Sequence, residues 1–321
     1  MPFQYDAEYA KTIEPLLPVL SKRSPLVLEN IPASREAREA GISHFFSQVP
    51  ESPDVSQTEY HATAPDGHQI PIIAFCKKST DSVPGPAIVH YHGGGMILGS
   101  AERQARPLAM QVQKTGIPIF SVNYRLAPEH KGPVIIEDCY SALVWVQQNA
   151  ASHGIDPARI AVFGESAGGG LAAGVTLLAR DREMSPPIAK QILVYPMLDD
   201  RTRAPKEGLE EMAFWKTDDN ATAWNAFLGG GAPGDHYSDS EYLVPARAQS
   251  LRGLPRAYID VGELDIFRDE CVSYAQRLWE ANVSTELHVY PGIPHAFEMV
   301  APFISATVEA YRKRMDAMLS I

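Results

Sequence analysis

The chain has 321 residues, 45% of them hydrophobic, and carries a net charge of −11 at pH 7. That much apolar material can bury a substantial core, which excludes global disorder. The acidic balance argues against nucleic acid as a partner, because phosphate binding needs a basic footprint, and leaves neutral or apolar small molecules as easier ligands.

Residues 1–50 are punctuated by prolines and lean helical, with apolar clusters at Leu16-Leu17, Val19-Leu20 and Phe45-Phe46. Two β-like runs follow at 59–64 and 69–76, separated by Asp66-Gly67, a strong short hairpin signal. A buried strand at 87–91 leads into His92-Gly93-Gly94-Gly95. The pattern then alternates: helix near 103–114, strand 117–123, helix 137–150, strand 159–163, helix 167–180 and strand 191–195. Residues 200–250 break the rhythm with charge, Gly229 to Gly231, and the aromatics Phe214, Trp215, Trp224 and Phe227, and read as an insertion. A strand at 256–261, a helix near 268–281, a strand at 285–290 and a helix from about 302 resume it. Strands alternating with helices of this length predict βαβ units and a mostly parallel sheet.

Three widely spaced cysteines, Cys76, Cys139 and Cys271, fit buried thiols and form neither a disulfide framework nor a metal-ligand pattern. Residues 1–20 carry Asp6, Glu8 and Glu14 and lack the basic-then-apolar order of a signal peptide. No uncharged apolar stretch approaches the ~20 residues of a membrane span, so the expected setting is the cytoplasm.

Two glycine-rich signals carry the chemistry. Gly164-Glu165-Ser166-Ala167-Gly168, between a predicted strand and a predicted helix, fits the nucleophile elbow, a tight turn that lifts one serine hydroxyl clear of the backbone. Chance alone would place such a pattern in ~0.1 chains of this length, and a His-Gly-Gly-Gly run in ~0.004. Acyl transfer needs a nucleophile, a base, a carboxylate to orient the base, and donors for the oxyanion. Ser166 is the candidate nucleophile. The N–H groups of Gly93, Gly94 and Ala167 are the candidate oxyanion donors, with His92 as a structural support of its loop. In this arrangement the acid and then the histidine follow the serine in the chain. His236 lies in the insertion and His288 within a strand, whereas His295 sits in the loop Pro291-Gly292-Ile293-Pro294-His295 after the last strand, where such sheets bind ligands. Its orienting acid is Glu263 or Asp265, which spacing does not separate; Asp269 and Glu270 read as helix caps.

Together these residues resemble the hormone-sensitive-lipase-like esterases of the α/β-hydrolase fold, which carry an HGGG loop. Tyr124-Arg125-Leu126-Ala127-Pro128-Glu129, Glu137-Asp138-Cys139-Tyr140, Asp156-Pro157-Ala158-Arg159-Ile160 and Tyr195-Pro196 extend the resemblance over residues 58–315. It implies an α/β-hydrolase fold: a mostly parallel sheet flanked by helices over 51–199 and 246–321, with a small helical cap from 1–50 and 200–245. It also selects Asp265 over Glu263, so that Ser166, Asp265 and His295 form a triad that needs no metal or cofactor. The implied activity is hydrolysis of small esters, and the apolar Met96-Ile97-Leu98 and the aromatics of the cap point to short to medium acyl chains. A homodimer through the edge strand near 285–290 is implied by the same analogy, with neither nucleic acid nor membrane as partner. The competing reading is a ligand-binding module, since plant hormone receptors share this fold without the catalytic histidine; amide or carbamate hydrolysis would use the same residues. The chain departs from the family pattern at Glu165, at Ile266-Phe267 and at Ala296, where the family usually has Asp or Thr, Pro-Leu, and Gly.

Overall fold

The computed structural model describes residues 2–20, 25–78, 83–230 and 240–321. Eight strands form one sheet: β1 (Val55–Thr63), β2 (Gln69–Lys77), β3 (Gly85–Tyr91), β4 (Ile119–Val122), β5 (Ile155–Glu165), β6 (Lys190–Val194), β7 (Ala257–Gly262) and β8 (Thr285–Tyr290). Their order across the sheet is β1-β2-β4-β3-β5-β6-β7-β8. The β1–β2 hairpin turns at Asp66-Gly67, where Gly67 takes φ +87° and the Asp66 carboxylate accepts from the His68 N–H. β2 runs antiparallel to both neighbours, and β3 through β8 are parallel. β6 and β7 are buried at every residue, as strands covered on both faces must be.

The helices are α1 (Ala7–Ile13), α2 (Leu17–Leu20), α3 (Ile31–Phe46), α4 (Ala105–Thr115), α5 (Gly132–Gln148), α6 (Ala167–Asp181), α7 (Thr217–Leu228), α8 (Arg268–Glu280), α9 (Phe297–Val300) and α10 (Ser305–Leu319). α5 packs on α6 and α4 on α10. Two boundaries differ from the sequence reading. α5 begins at Gly132 because Pro133 occupies its first turn, where a fixed φ and a missing N–H cost nothing. β5 begins at Ile155, four residues before the apolar run that announced it, because Gly85 pairs with Ile155 across a register shift. Residues 200–250 hold only α7 and one short 3-10 turn, Pro245–Arg247, among those described. No helix among the described residues is long and apolar enough to cross a membrane.

One topological fact locates the site. From β3 the chain crosses to β4 on one side, then returns to β5 on the other, so the order reverses between β3 and β5. Diverging connections leave a crevice at the carboxyl ends of such strands. Tyr91 at the end of β3 pairs with Gly164 near the end of β5, which sets both glycine-rich segments side by side at that crevice.

Candidate active site

Ser166 stands between the last residue of β5 and the first of α6, with φ 57° and ψ −120°. This is a strained conformation for a residue with a Cβ, and it is held from both sides. The Ser166 N–H donates to Val194 O at 2.9 Å, and its carbonyl accepts from Met197 N at 2.9 Å. The neighbouring glycines are required by space. A Cβ on Gly164 would lie 2.2 Å from Gly168 O, and one on Gly168 1.9 Å from Tyr91 O.

His295 lies between β8 and α9, in the loop that the sequence marked. Ser166 Oγ is 2.9 Å from His295 Nε2, and His295 Nδ1 donates to Asp265 Oδ2 at 2.6 Å. With Nδ1 committed to the carboxylate, Nε2 is the nitrogen that faces Ser166 Oγ. Asp265 is fully buried, and its other oxygen accepts from Phe267 N at 2.9 Å. Glu263, the alternative acid, instead accepts from the backbone N–H of Gly292 at 2.9 Å and so braces the histidine loop. The rings of Tyr195 and Phe267 meet the imidazole edge-on, with centroids at 4.6 and 5.1 Å. His288 bonds Glu286, and His236 lies outside the described residues. Asp269 and Glu270 stand in the first turn of α8, where acids favour the dipole, and also find partners beyond it: Asp269 pairs with Arg268 and Lys206, while Glu270 reaches the N–H groups of Leu198 and Asp199 and the Thr202 hydroxyl.

Gly93 is packed against the elbow; a Cβ there would sit 3.1 Å from Glu165 O and 3.5 Å from Ser166 Cβ. Among the described residues, the N–H groups of Gly93, Gly94 and Ala167 donate to no backbone carbonyl outside regular structure and to no side chain. The loop turns through Gly94 (φ 125°), Gly95 (φ 64°) and Met96 (φ 57°). His92 anchors it: Nδ1 donates to Gly93 O at 2.9 Å, and its ring stacks on Tyr124 at 4.2 Å. The Tyr124 hydroxyl donates to His92 O at 2.6 Å, and the next residue, Arg125, grips buried Asp138 with two donors at 2.8 and 2.7 Å. Burial lowers the His92 pKa to about 4, so the ring stays neutral near pH 7.

A cavity of about 780 Å³ opens over Ser166 and His295. Ile42, Phe45 and Phe46 of α3, with Phe214, Trp215 and Leu98, form much of its apolar wall. Met96 and Ile97 are buried in the core beside it, and Trp224 and Phe227 pack into the core with α7, so only some of the apolar residues expected around the pocket face it. Sequence reasoning noted Glu165 as a departure from the family pattern but missed the rest of the polar wall: its partner His90, Tyr195, Glu298 and Arg314. A histidine inside the buried strand 87–91 was the available signal, since a buried imidazole requires a polar partner.

A model of the alpha/beta hydrolase fold matches residues 88–299. The chain belongs to this family. The carboxylesterase NlhH of Mycobacterium tuberculosis is 38% identical over 247 residues, 73% of this chain and 73% of its own length. An arylesterase of Saccharolobus solfataricus is 30% identical over 280 residues, 81% and 85% of the two chains. Among solved α/β-hydrolase structures, a bacterial heroin esterase matches with a TM-score of 0.87 and 33% identity, covering 99% of this chain and 98% of its own. A hyperthermophilic esterase from the archaeon Pyrobaculum calidifontis matches with a TM-score of 0.86 and 29% identity over 100% and 99%.

Proposed function

We propose that this chain is a serine carboxylesterase in which Ser166 is the nucleophile, His295 the base, Asp265 the orienting acid, and Gly93, Gly94 and Ala167 the oxyanion donors. The observation that carries the reading is the unbroken hydrogen-bond chain from Ser166 Oγ through His295 to Asp265 on the floor of the cavity. As Oγ attacks the ester carbonyl carbon, its proton passes to His295 Nε2 and the negative charge moves to the carbonyl oxygen. Collapse of that intermediate breaks the bond to the alcohol oxygen, which takes the proton from His295 and leaves. Water then attacks the acyl-enzyme, gives its proton to the same nitrogen, and the acid departs as Oγ recovers the proton. One preorganised oxyanion donor is worth ~3 kcal/mol of barrier lowering.

The apolar wall supports short to medium acyl esters as substrates. Residues 1–50 and 200–245 supply α3, Phe214 and Trp215 to that wall, which supports reading them as a cap over the catalytic domain. The three free thiols fit a reducing, cytoplasmic setting. The edge strand β8, with Val289 39% exposed beside Trp279 at 49%, supports a homodimer formed by pairing of two such edges. The ligand-binding alternative is disfavoured by a histidine seated on the nucleophile.

The test is hydrolysis of a chain-length series of nitrophenyl esters by the native protein and by Ser166→Ala. Activity on short chains is expected to fall by up to ~10⁶ in the variant. Activity that survives the substitution overturns the assignment of the nucleophile, and a preference for long-chain emulsified triglyceride overturns the assigned substrate range.

A further inference from the structure

The cavity wall next to the nucleophile carries negative charge that the hydrolytic steps do not use. Glu165, immediately before Ser166, lines the cavity with 14% of its side chain exposed. Among the described residues only one of its oxygens has a partner: Oε2 accepts from His90 Nε2 at 2.8 Å. His90 is itself fully buried, with Nδ1 facing the Ser121 hydroxyl at 2.8 Å, so among the described residues Glu165 is held in place by a histidine and by no arginine or lysine. Glu298, three residues beyond His295, lines the same cavity and is 7% exposed. Its Oε1 accepts from the Tyr195 hydroxyl at 2.5 Å and from Arg314 at 2.7 Å, while its Oε2 is buried without a donor among the described residues. The Tyr9 hydroxyl, which also lacks a partner, does not bond it.

The cations nearby are already committed. Arg314 gives two donors to Asp260, at 2.7 and 3.0 Å, and a third to Glu298, so two carboxylates share one guanidinium. Arg38 and Arg103, elsewhere on the cavity wall, face Asp219 and Glu39. The rings of Tyr195 and Tyr311 complete the wall, and Arg314 already lies over both. A buried carboxylate oxygen with no donor is costly, and it leaves uncompensated negative charge behind the wall.

We propose that this wall is a subsite for a protonated amine borne by the ester substrate, with Glu165 as its principal acceptor and Glu298 adding charge behind it. The proposal rests on the carboxylesterase reading and adds a substrate class to it: esters whose ammonium lies a few bonds from the reacting carbonyl, on the alcohol or the acyl side.

The experiment compares kcat/KM within two matched pairs, one for each side of the ester. The first is 2-(dimethylamino)ethyl butyrate against 3-methylbutyl butyrate; the second is ethyl 4-(dimethylamino)butyrate against ethyl 5-methylhexanoate. A hydrogen bond to a charged group predicts a preference of roughly tenfold to a hundredfold for the ammonium member of at least one pair. Glu165→Gln is expected to bring that ratio close to one, each ammonium ester being read against the neutral ester with the same variant. Inhibition of neutral-ester hydrolysis by 2-(dimethylamino)ethanol against 3-methylbutanol reads the same preference in the unaltered protein. Equal rates within both pairs overturn the subsite, as does a preference that survives Glu165→Gln. If the wild type hydrolyses no ester at all, the carboxylesterase reading itself fails; hydrolysis of the neutral esters without discrimination removes the subsite alone.

Discussion

Ala296, directly after His295, adopts φ 51° and ψ 34°, the left-handed region that L side chains avoid at a cost of roughly 1–2 kcal/mol. The resembled family usually places glycine here, and the backbone explains why. Ala296→Gly, which in a helix interior would cost about 1 kcal/mol, is expected to be neutral or to stabilise by up to about 1 kcal/mol, measured as a denaturant midpoint. The other departures also have local partners: Phe267 backs the imidazole, and Glu165 is gripped by His90. His92 has a pH consequence. Its folded pKa of about 4 lies below its ordinary value of 6.5, so below pH 6.5 the unfolded chain takes up a proton that the folded one refuses. The contribution of this residue is therefore complete above about 6.5 and is lost as pH falls toward 4. The stability difference between wild type and His92→Gln should shrink across that window in thermal unfolding scans; a constant difference would disprove the assignment.

At the scale of elements, the elbow depends on α6 approaching β3 without side chains between them. Gly168→Ala drives a Cβ into Tyr91 O at 1.9 Å, and backbone at both ends leaves little room to yield. It is expected to destabilise by more than about 4 kcal/mol and to remove activity through folding, seen as loss of a cooperative melt. The glycine loop, the elbow, the hairpin and the strand–helix alternation were legible in the sequence because each is written in neighbouring residues. Spacing left Glu263 and Asp265 open; the fold separates them by giving one the Gly292 N–H and the other the imidazole. The polar wall was not legible, because Tyr195 meets Glu298 and Arg314 meets Asp260 across separations of 103 and 54 residues. Nor does a run of aromatics say which face meets a cavity: Phe214 and Trp215 do, whereas Trp224 and Phe227 are core.

At the scale of the whole molecule, Arg314 ties the last helix to the sheet. It is 2% exposed and joins α10 to Asp260 on β7 and to Glu298 on α9. Removing one partner of a buried ion pair strands the other, so Arg314→Leu is expected to cost about 3–5 kcal/mol, read from chemical denaturation. α3 is fastened differently. Only Ile31 among its described side chains is fully buried, and arginines hold it: Arg35 to Ile97 O, Ala127 O and Glu129, and Arg103 to Ser43 and Glu39. Ser166 thus belongs to the apolar interior, while much of the pocket above it hangs on guanidinium contacts near the surface. Regions of low burial open before the core does. On warming, or in salt that screens those contacts, the protein should become less choosy before it becomes inactive. Discrimination between acyl-chain lengths would fade at temperatures where a small phosphonate still titrates every Ser166, and loss of both at one temperature would show that wall and floor melt together.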